Sequence, residues 1–217
     1  MYIAAGLPLS WVGKQKQAFK EYLLQNREVS FTYRNKEYHL HIVGAEVFPQ
    51  GFAAIAPNLQ DFGGSYMLCD IGNGTMNILR ILNRKPDPKQ MFTEKYGVHQ
   101  CILALREALL QEHNAQPDEA LLHSFLQNGT AGLEESLEQT MTQVAKGYAA
   151  KVFRNLRVHG YDPRLMKLYV VGGGGCLIRN FADYDANRVI INEDICATAK
   201  GYEYMVLVTL NRNGGVV

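Results

Sequence analysis

The amino-acid sequence predicts an α/β fold, and two observations lead to this prediction. The chain has 217 residues, of which 47% are hydrophobic, so it can bury one good core or two modest lobes. From Tyr66 onward, the pattern reads strand, turn, strand, helices, strand, glycine turn, helix, strand and helix, which is typical of a sheet covered by helices. The formal net charge of +1 provides no broad basic field for sequence-independent nucleic-acid binding.

Residues 1–65 are predicted to form a surface helix and a two-stranded hairpin. Apolar residues recur at helical spacing over residues 14–25, in KQKQAFKEYLLQ. Apolar and polar residues then alternate in VSFTYRNKEYHLHIV on both sides of a turn at Asn35 and Lys36, as they do in two antiparallel strands. A Pro-Gln-Gly turn follows and leads into a short apolar stretch.

Residues 66–217 contain the strands and helices of the predicted sheet. Two strands, YMLCDI and TMNILRIL, flank a turn, and NRKPDP closes this pair. Amphipathic helices are predicted next over residues 97–112, 117–129 and 133–159. Two short strands, KLYVV and RVIIN, enclose a helix over residues 176–183. The last helix has an N-cap candidate in Asp194 and a glycine stop at Gly214 and Gly215.

The first glycine-rich turn follows the acid at the end of a buried strand. It consists of Gly72, Asn73, Gly74 and Thr75, shortly after Asp70. A phosphate group needs several backbone N–H donors and no obstructing side chains, so this turn is suited to an anion. The Asp70 carboxylate is suited to Mg²⁺, because this hard ion prefers oxygen ligands and keeps much of its hydration shell. The structural alternative is a hairpin with an acidic turn residue.

The second turn follows KLYVV and consists of Gly172, Gly173, Gly174 and Gly175. Backbone without Cβ atoms lets a flat ring such as adenine lie against it, so the two turns could hold the two ends of a nucleotide. A close approach within the protein itself is the structural alternative. The run is not a P-loop, because no Gly-Lys-Ser/Thr follows it, and Leu177 replaces the third glycine of the dinucleotide fingerprint.

Three segments resemble the bacterial actin-like ATPases of the ParM/StbA plasmid-segregation group. The segment CDIGNGTMN resembles the second phosphate motif of that family, YVVGGGGCLIRN resembles its adenosine motif, and NEDICATAKGYEY resembles its C-terminal stretch, in the same order and at similar spacing. A fourth segment, VGAEVFPQGFAAI, resembles the stretch in which such ATPases carry a residue that orients the attacking water. The resemblance implies this role for Gln50, and an ordinary turn residue after Pro49 is the alternative.

The resemblance implies an α/β, actin-like ATPase (ribonuclease H-like) fold. Residues 1–65 would be the remainder of a first lobe and residues 66–217 a complete second lobe, with a small helical insertion over residues 83–132. The implied ligands are ATP or ADP and Mg²⁺. The implied partners are further copies of the chain, in filaments, and an adaptor protein that contacts plasmid or other mobile DNA. Direct contact with nucleic acid or a membrane is not expected.

Two departures from the family pattern predict weak nucleotide binding. Asn77 stands where family members often have an aspartate, and nothing before Gly6 resembles the first phosphate motif, so the chain matches only the later part of such a protein. Because phosphoryl transfer in this class relies on two facing loops, we expect little or no hydrolysis. The alternative function is a non-hydrolysing actin-like scaffold. A small-molecule kinase is less favoured, because no separate acidic base is placed for a substrate hydroxyl.

Other residues are interpreted as structural. His39 and His41 share one face of the predicted hairpin, but a zinc site needs further ligands that the neighbouring sequence does not supply. Four cysteines form no Cys-x-x-Cys pair and follow no secretory leader, which predicts reduced core thiols and a cytoplasmic location. These cysteines are Cys69, Cys101, Cys176 and Cys196.

Overall fold

The computed structural model describes residues 1–212, and the chain forms two compact units. The first unit combines Met1–Leu59 with the last helix, and the second unit is Gln60–Ile195. The predicted glycine stop at Gly214 and Gly215 lies outside the described residues. Within residues 1–212, no helix is both long and apolar enough to cross a membrane.

The part of the first unit that the structure describes contains two small sheets flanked by helices. Its strands are β1 (Tyr2–Leu7), β2 (Glu28–Tyr33), β3 (Lys36–His41) and β4 (Gly44–Pro49). Its helices are α1 (Leu9–Leu23), α2 (Phe52–Ile55) and, at the end of the chain, α7 (Ala197–Arg212). β1 pairs in parallel with β4, and β2 pairs antiparallel with β3.

The hairpin of β2 and β3 turns one residue earlier than predicted. Arg34 and Asn35 have φ angles of 50° and 59°, and Tyr33 pairs directly with Lys36. A two-residue turn with both residues left-handed matches the right-handed twist of the flanking strands, and asparagine tolerates this conformation well. The strands themselves are as predicted.

The last helix packs within the first unit, whereas the sequence placed it in the second lobe. A Cβ on Gly201 of α7 would overlap the backbone carbonyl of Ala53 in α2, so the two helices touch at their backbones. The helix begins at Ala197, which corrects the prediction of Asp194 as its N-cap. The Asp194 N–H instead donates to Asn192 Oδ1 at 2.9 Å, in a turn that precedes the helix.

The second unit is a mixed sheet covered by helices. Its strands are β5 (Ser65–Ile71), β6 (Met76–Leu82), β7 (Lys85–Glu94), β8 (Lys167–Val171) and β9 (Val189–Ile191). Its helices are α3 (Val98–His113), α4 (Glu119–Asn128), α5 (Glu135–Val158) and α6 (Gly175–Phe181). The strand order is β7-β6-β5-β8-β9. β5, β8 and β9 are parallel, and β6 is antiparallel to both of its neighbours.

The segment over residues 83–132 differs from the predicted helical insertion, because it begins with the edge strand β7. Pro86 pairs with Ile81, close to an irregularity in the ladder. Proline lacks the N–H that a central strand needs, but an edge strand tolerates it. The two helices of the segment, α3 and α4, bury Leu105 and Phe125 in the same hydrophobic core as the sheet.

This core positions the strand ends that carry the predicted turns. Its fully buried members come from every layer of the unit and include Cys69, Ile78, Leu105, Phe125, Val152 and Val170. α5 matches the predicted helix to within two residues at each end. α4 is capped by the Asp118 carboxylate, which accepts the Leu121 N–H at 2.7 Å, and ends at the predicted Gly129.

Candidate functional site

The two glycine turns lie side by side at one edge of the sheet in the second unit. β5 and β8 are parallel neighbours, and Asp70 pairs with Val171, so both strands end at the same level. The Gly174 N–H donates to the Ile71 carbonyl oxygen at 2.9 Å and joins the two turns directly. The turns thus lie at the carboxyl ends of parallel strands, which is where open α/β sheets bind ligands.

The first turn closes the hairpin of β5 and β6. The Gly72 N–H donates to the Thr75 carbonyl oxygen at 2.9 Å. Within residues 1–212, the N–H groups of Asn73, Gly74 and Thr75 donate to no backbone carbonyl oxygen. A Cβ on Gly74 would meet no atom within 4 Å. Several backbone donors around open space are what an anion such as phosphate requires.

The amino end of α3 packs directly on this turn. The N–H groups of Val98 and His99 donate to carbonyl oxygens of the turn at 3.0 and 2.9 Å. A Cβ on Gly97 would overlap the Asn73 carbonyl, so the helix could not approach this closely with any other residue there. Tyr148 Oη also donates to the Gly97 carbonyl oxygen at 2.8 Å. These helix amides support the turn and are not available to a ligand.

The Asp70 carboxylate lies against the second turn. A Cβ on Gly172 would be 2.6 Å from Asp70 Oδ1, and Gly172 has a φ of +86°, so only glycine fits this position without strain. The Asp70 side chain is 9% exposed. This burial raises the pKa of the Asp70 carboxyl to about 6, because the charged form loses hydration.

Asn77 faces Asp70 across the ladder of β5 and β6. It is 3% exposed, and its Oδ1 accepts a hydrogen bond from Thr93 Oγ1 of β7 at 2.9 Å. In the described residues, no group of three or more His, Cys, Asp or Glu side chains could hold a metal ion. A Mg²⁺ ion here would have Asp70 as its protein ligand and would take its other oxygens from phosphate and water, as this ion commonly does.

The four glycines of the second turn have different surroundings. A Cβ on Gly174 would overlap the Ile71 side chain, and one on Gly175 would lie 3.1 Å from a methyl carbon of β9. Contacts within the protein therefore explain why Gly172, Gly174 and Gly175 have no side chain. Gly173 is exposed, and a Cβ there would meet no atom within 4 Å. It is the glycine of this turn against which a ring could lie.

A cavity of about 210 Å³ opens beside Gly173. Its walls come from α3, α4, α6 and the end of the unit: Val98, His123, Leu126, Gln127, Gly173, Cys176, Leu177 and Ile195. The walls combine apolar side chains with a few polar groups, as small-molecule sites do, and the volume suits one ring system. Sequence reasoning did not find the α4 residues, because they lie some 50 positions before the glycine turn that they face.

Gln50 lies in the first unit, in the turn between β4 and α2. Its N–H donates to the Leu7 carbonyl oxygen at 2.9 Å, which extends the parallel pair of β1 and β4. This backbone contact accounts for the position of the turn. The role of Gln50 in orienting water stays a prediction.

The cysteines and the hairpin histidines have structural contacts. No disulfide joins the cysteines of the described residues, and only Cys69 and Cys101 are buried, so the prediction of core thiols holds for these two. Burial raises the pKa of both buried thiols. His39 Nδ1 lies 2.9 Å from the Ser30 hydroxyl, and His41 pairs with a glutamate of β2.

Several solved structures share this fold, although no protein-family model and no curated protein matches the chain. An archaeal actin homolog in complex with ADP is 22% identical, with a TM-score of 0.77 over 95% of this chain and 71% of that one. A ParM filament from Clostridium botulinum is 19% identical, with a TM-score of 0.74 over 92% and 64%. Bacillus thuringiensis ParM with ATP is 14% identical, with a TM-score of 0.66 over 95% and 66%.

These similarities define the class of fold. The chain has the α/β fold of actin-like proteins, which confirms the predicted fold class. At these identities the similarity concerns the fold alone. The activity of the chain depends on the residues of its site and is not defined by the fold.

Proposed function

We propose that this chain is an actin-like, ATP-binding protein of the ParM type that self-associates into filaments for the segregation of plasmid or other mobile DNA. One observation carries the proposal: two glycine turns and a carboxylate converge at the carboxyl ends of β5 and β8. Such a convergence is the usual position of a ligand in an open α/β sheet. Solved structures of the same fold with ADP, with ATP and as a ParM filament support this choice.

Each part of the nucleotide has a proposed place. The amides of Asn73, Gly74 and Thr75 would bind phosphate, and Asp70 would hold Mg²⁺ at its edge. The ring would lie against Gly173, in the cavity beside it. The metal would supply charge neutralisation at the phosphates, and Gln50 of the first unit is proposed to orient water. Contact with DNA would pass through an adaptor protein, because the net charge of +1 offers no broad basic surface.

We expect weak binding and slow or no hydrolysis. The raised pKa of Asp70 means that ionising this carboxyl costs free energy in the folded chain. α3 uses its first amides to support the turn, and Asn77 contributes no second carboxylate. These features favour the second candidate function, a non-hydrolysing actin-like scaffold whose partner binding is independent of nucleotide.

Isothermal titration calorimetry with MgATP, MgADP and MgGTP tests the proposal. We expect saturable ATP binding that weakens at least tenfold in Asp70→Asn, which keeps the shape of the side chain and removes its charge. Glu107→Gln is the matched control, since Glu107 is an exposed acid on α3 in the same unit. Its affinity should equal that of the wild type.

The outcomes separate the candidate functions. ATP binding that is lost in Asp70→Asn, together with filaments in electron micrographs, supports the ATP-binding filament. Absence of heat with all three nucleotides would reject ATP binding and favour the scaffold. Transfer of phosphate from ATP to a metabolite would favour the small-molecule kinase.

A further inference from the structure

We propose that Asn73, in the turn over residues 72–75, is a site of spontaneous chemical modification that converts its side-chain amide to a carboxylate. The reaction uses the backbone nitrogen of Gly74 and water, and it needs no enzyme and no oxidant. It would place a negative charge in the turn that is proposed to bind phosphate. The effect on nucleotide binding rests on the proposed function, whereas the modification itself does not.

The chemistry depends on the residue that follows the asparagine. Hydroxide removes the proton of the next backbone N–H, and this nitrogen attacks the side-chain carbonyl carbon, so that a new N–C bond closes a succinimide ring. The side-chain nitrogen leaves as ammonia. Water then opens the ring and produces aspartate or isoaspartate. Adjacency in the chain makes the attack intramolecular, and a glycine at the next position has no side chain to hinder it.

The first Asn-Gly pair of the chain is open to this reaction. Asn73 and Gly74 are both exposed, and a Cβ on Gly74 would meet no atom within 4 Å. Within residues 1–212, the Gly74 N–H donates to no backbone carbonyl oxygen. The attacking nitrogen therefore breaks no backbone hydrogen bond when it loses its proton.

The second Asn-Gly pair, Asn128 and Gly129, is protected by the end of α4. The Gly129 N–H donates to the Phe125 carbonyl oxygen at 2.8 Å, and the Asn128 side-chain amide donates to Ser124 Oγ at 3.1 Å. Attack by the Gly129 nitrogen would break the hydrogen bond that ends the helix. This pair is therefore an internal control. A third Asn-Gly pair, at residues 213 and 214, lies outside the described residues.

The amino end of α3 favours the reaction at Asn73. The His99 N–H donates to the Asn73 carbonyl oxygen at 2.9 Å. When the Gly74 N–H loses its proton, the negative charge is shared with this oxygen, because both atoms belong to one peptide group. A hydrogen-bond donor at the positive end of a 16-residue helix stabilises such an anion. The hydrogen bonds from α3 reach the main chain of the turn and leave the exposed Asn73 side chain to rotate.

The product of the reaction would oppose nucleotide binding. A carboxylate at position 73 lies beside the amides of Gly74 and Thr75, where it repels phosphate and is itself suited to these donors. Isoaspartate also adds a methylene group to the main chain and displaces the amides that follow it. A bound phosphate would engage the Gly74 N–H and so slow the attack. The nucleotide would therefore protect the turn, and a chain without nucleotide would lose its phosphate site with time.

Peptide mapping by mass spectrometry tests the inference on the whole chain, incubated without nucleotide at pH 8. In the folded chain, we expect the Asn73 peptide to be converted at least tenfold faster than the Asn128 peptide. In guanidinium chloride the two rates should become similar, because the helix end no longer protects Asn128. Methylation by an isoaspartyl methyltransferase identifies the isoaspartate product. Equal rates for the two peptides in the folded chain would overturn the inference.

Variants of the turn test the chemical step. Asn73→Gln keeps the amide and the charge, but its longer side chain closes a ring much more slowly. Gly74→Ala hinders the attack, and its methyl group meets no atom that would disturb the turn. Both should be converted at position 73 at least tenfold more slowly than the wild type, and an unchanged rate in Gly74→Ala would contradict attack by this nitrogen. Asn73→Asp, which reproduces the product, should weaken MgATP binding at least tenfold.

Protection by nucleotide separates this inference from the proposed function. Saturating MgATP should slow conversion of Asn73 several-fold and leave the rate at Asn128 unchanged. If calorimetry shows no ATP binding while Asn73 is still converted, the proposed function fails and the modification stands. If calorimetry shows binding but Asn73 is converted no faster than Asn128, only this inference is overturned. Binding without protection would contradict the protective effect of phosphate at this turn.

Discussion

At the residue scale, Asp70 combines a position suited to a metal ion with burial that disfavours its charge. Its pKa rises from 3.8 to about 6, a difference that corresponds to roughly 3 kcal/mol at most. A group whose pKa is raised on folding stabilises the fold at low pH, where it is neutral in both states. That contribution is lost as the pH rises from about 4 through about 6.

The first prediction concerns Asp70→Asn. At pH 7.5, the variant should have a higher free energy of unfolding than the wild type, by about 1 to 3 kcal/mol, because the amide needs no ionisation. Near pH 4 the difference in free energy of unfolding between the variant and the wild type should disappear. Urea unfolding at the two pH values measures this difference. The same difference at both pH values would show that ionisation of Asp70 is not its cause. Glu107→Gln, at an exposed position, should leave stability unchanged within about 0.5 kcal/mol.

The second prediction compares neighbouring glycines. Gly174→Ala should lower the free energy of unfolding by about 1 to 3 kcal/mol, because its methyl group would overlap Ile71. Gly173→Ala should change it by less than about 0.5 kcal/mol, since nothing lies within 4 Å, and should instead weaken nucleotide binding. Chemical denaturation and calorimetry on both variants distinguish these effects. An unstable Gly173→Ala variant would show that this glycine is structural as well.

The residue scale is also where sequence reasoning is least complete. It identifies both turns and Asp70, because glycine runs and an acid after an apolar strand have few structural explanations. It does not distinguish Gly173 from its neighbours, since this depends on which Cβ positions face Ile71 and Asp70. Gly97 was missed, although Gln100 three positions later is a capping signal, and its side chain does accept the Gly97 N–H at 2.9 Å.

At the element scale, the close approach of α3 to the turn over residues 72–75 is the contact that holds the turn in place. Gly97 allows the approach, and the first amides of the helix hold two turn carbonyls in place. Without this support, the turn would be a mobile hairpin loop whose amides point in no fixed direction. Anion binding by backbone amides needs their directions fixed in advance.

The third prediction follows from this contact. Gly97→Ala should destabilise the chain by about 1 to 3 kcal/mol, because its methyl group meets backbone atoms that cannot rotate away. Thermal unfolding monitored by circular dichroism tests the change. Gly147→Ala, on α5, is the control, since a Cβ there has no neighbour within 4 Å and glycine is a poor helix former. Equal stability of Gly97→Ala and wild type would contradict the close approach.

Helices were predicted more accurately than strands. α5 follows a long apolar stripe at helical spacing, and such a local pattern can be recognised within one segment. β1 was missed because its partner β4 lies some 40 residues away, so no local alternation marks the pair. β7 was missed because two prolines usually end a strand, and only an edge position tolerates them.

At the scale of the whole molecule, the sequence predicts the class of fold but not the grouping of its parts. The order of elements and the three motif resemblances indicate an actin-like fold, which the solved structures confirm. The return of α7 to the first unit depends on Gly201 meeting α2 some 150 residues earlier, and no local pattern reports such a contact. The walls of the cavity beside Gly173 also come from distant parts of the sequence, so no local pattern predicts this cavity.

The labelling rate of Cys176 tests most directly whether a nucleotide occupies this site. Cys176 lines the cavity and is partly exposed, whereas Cys69 and Cys101 are buried, so Cys196→Ser leaves Cys176 as the accessible thiol. With a maleimide reagent, we predict that saturating MgATP slows labelling several-fold, and that inorganic phosphate, which lacks the ring, does not. A labelling rate unchanged by MgATP, under conditions where calorimetry shows binding, would place the nucleotide elsewhere and contradict the proposed site.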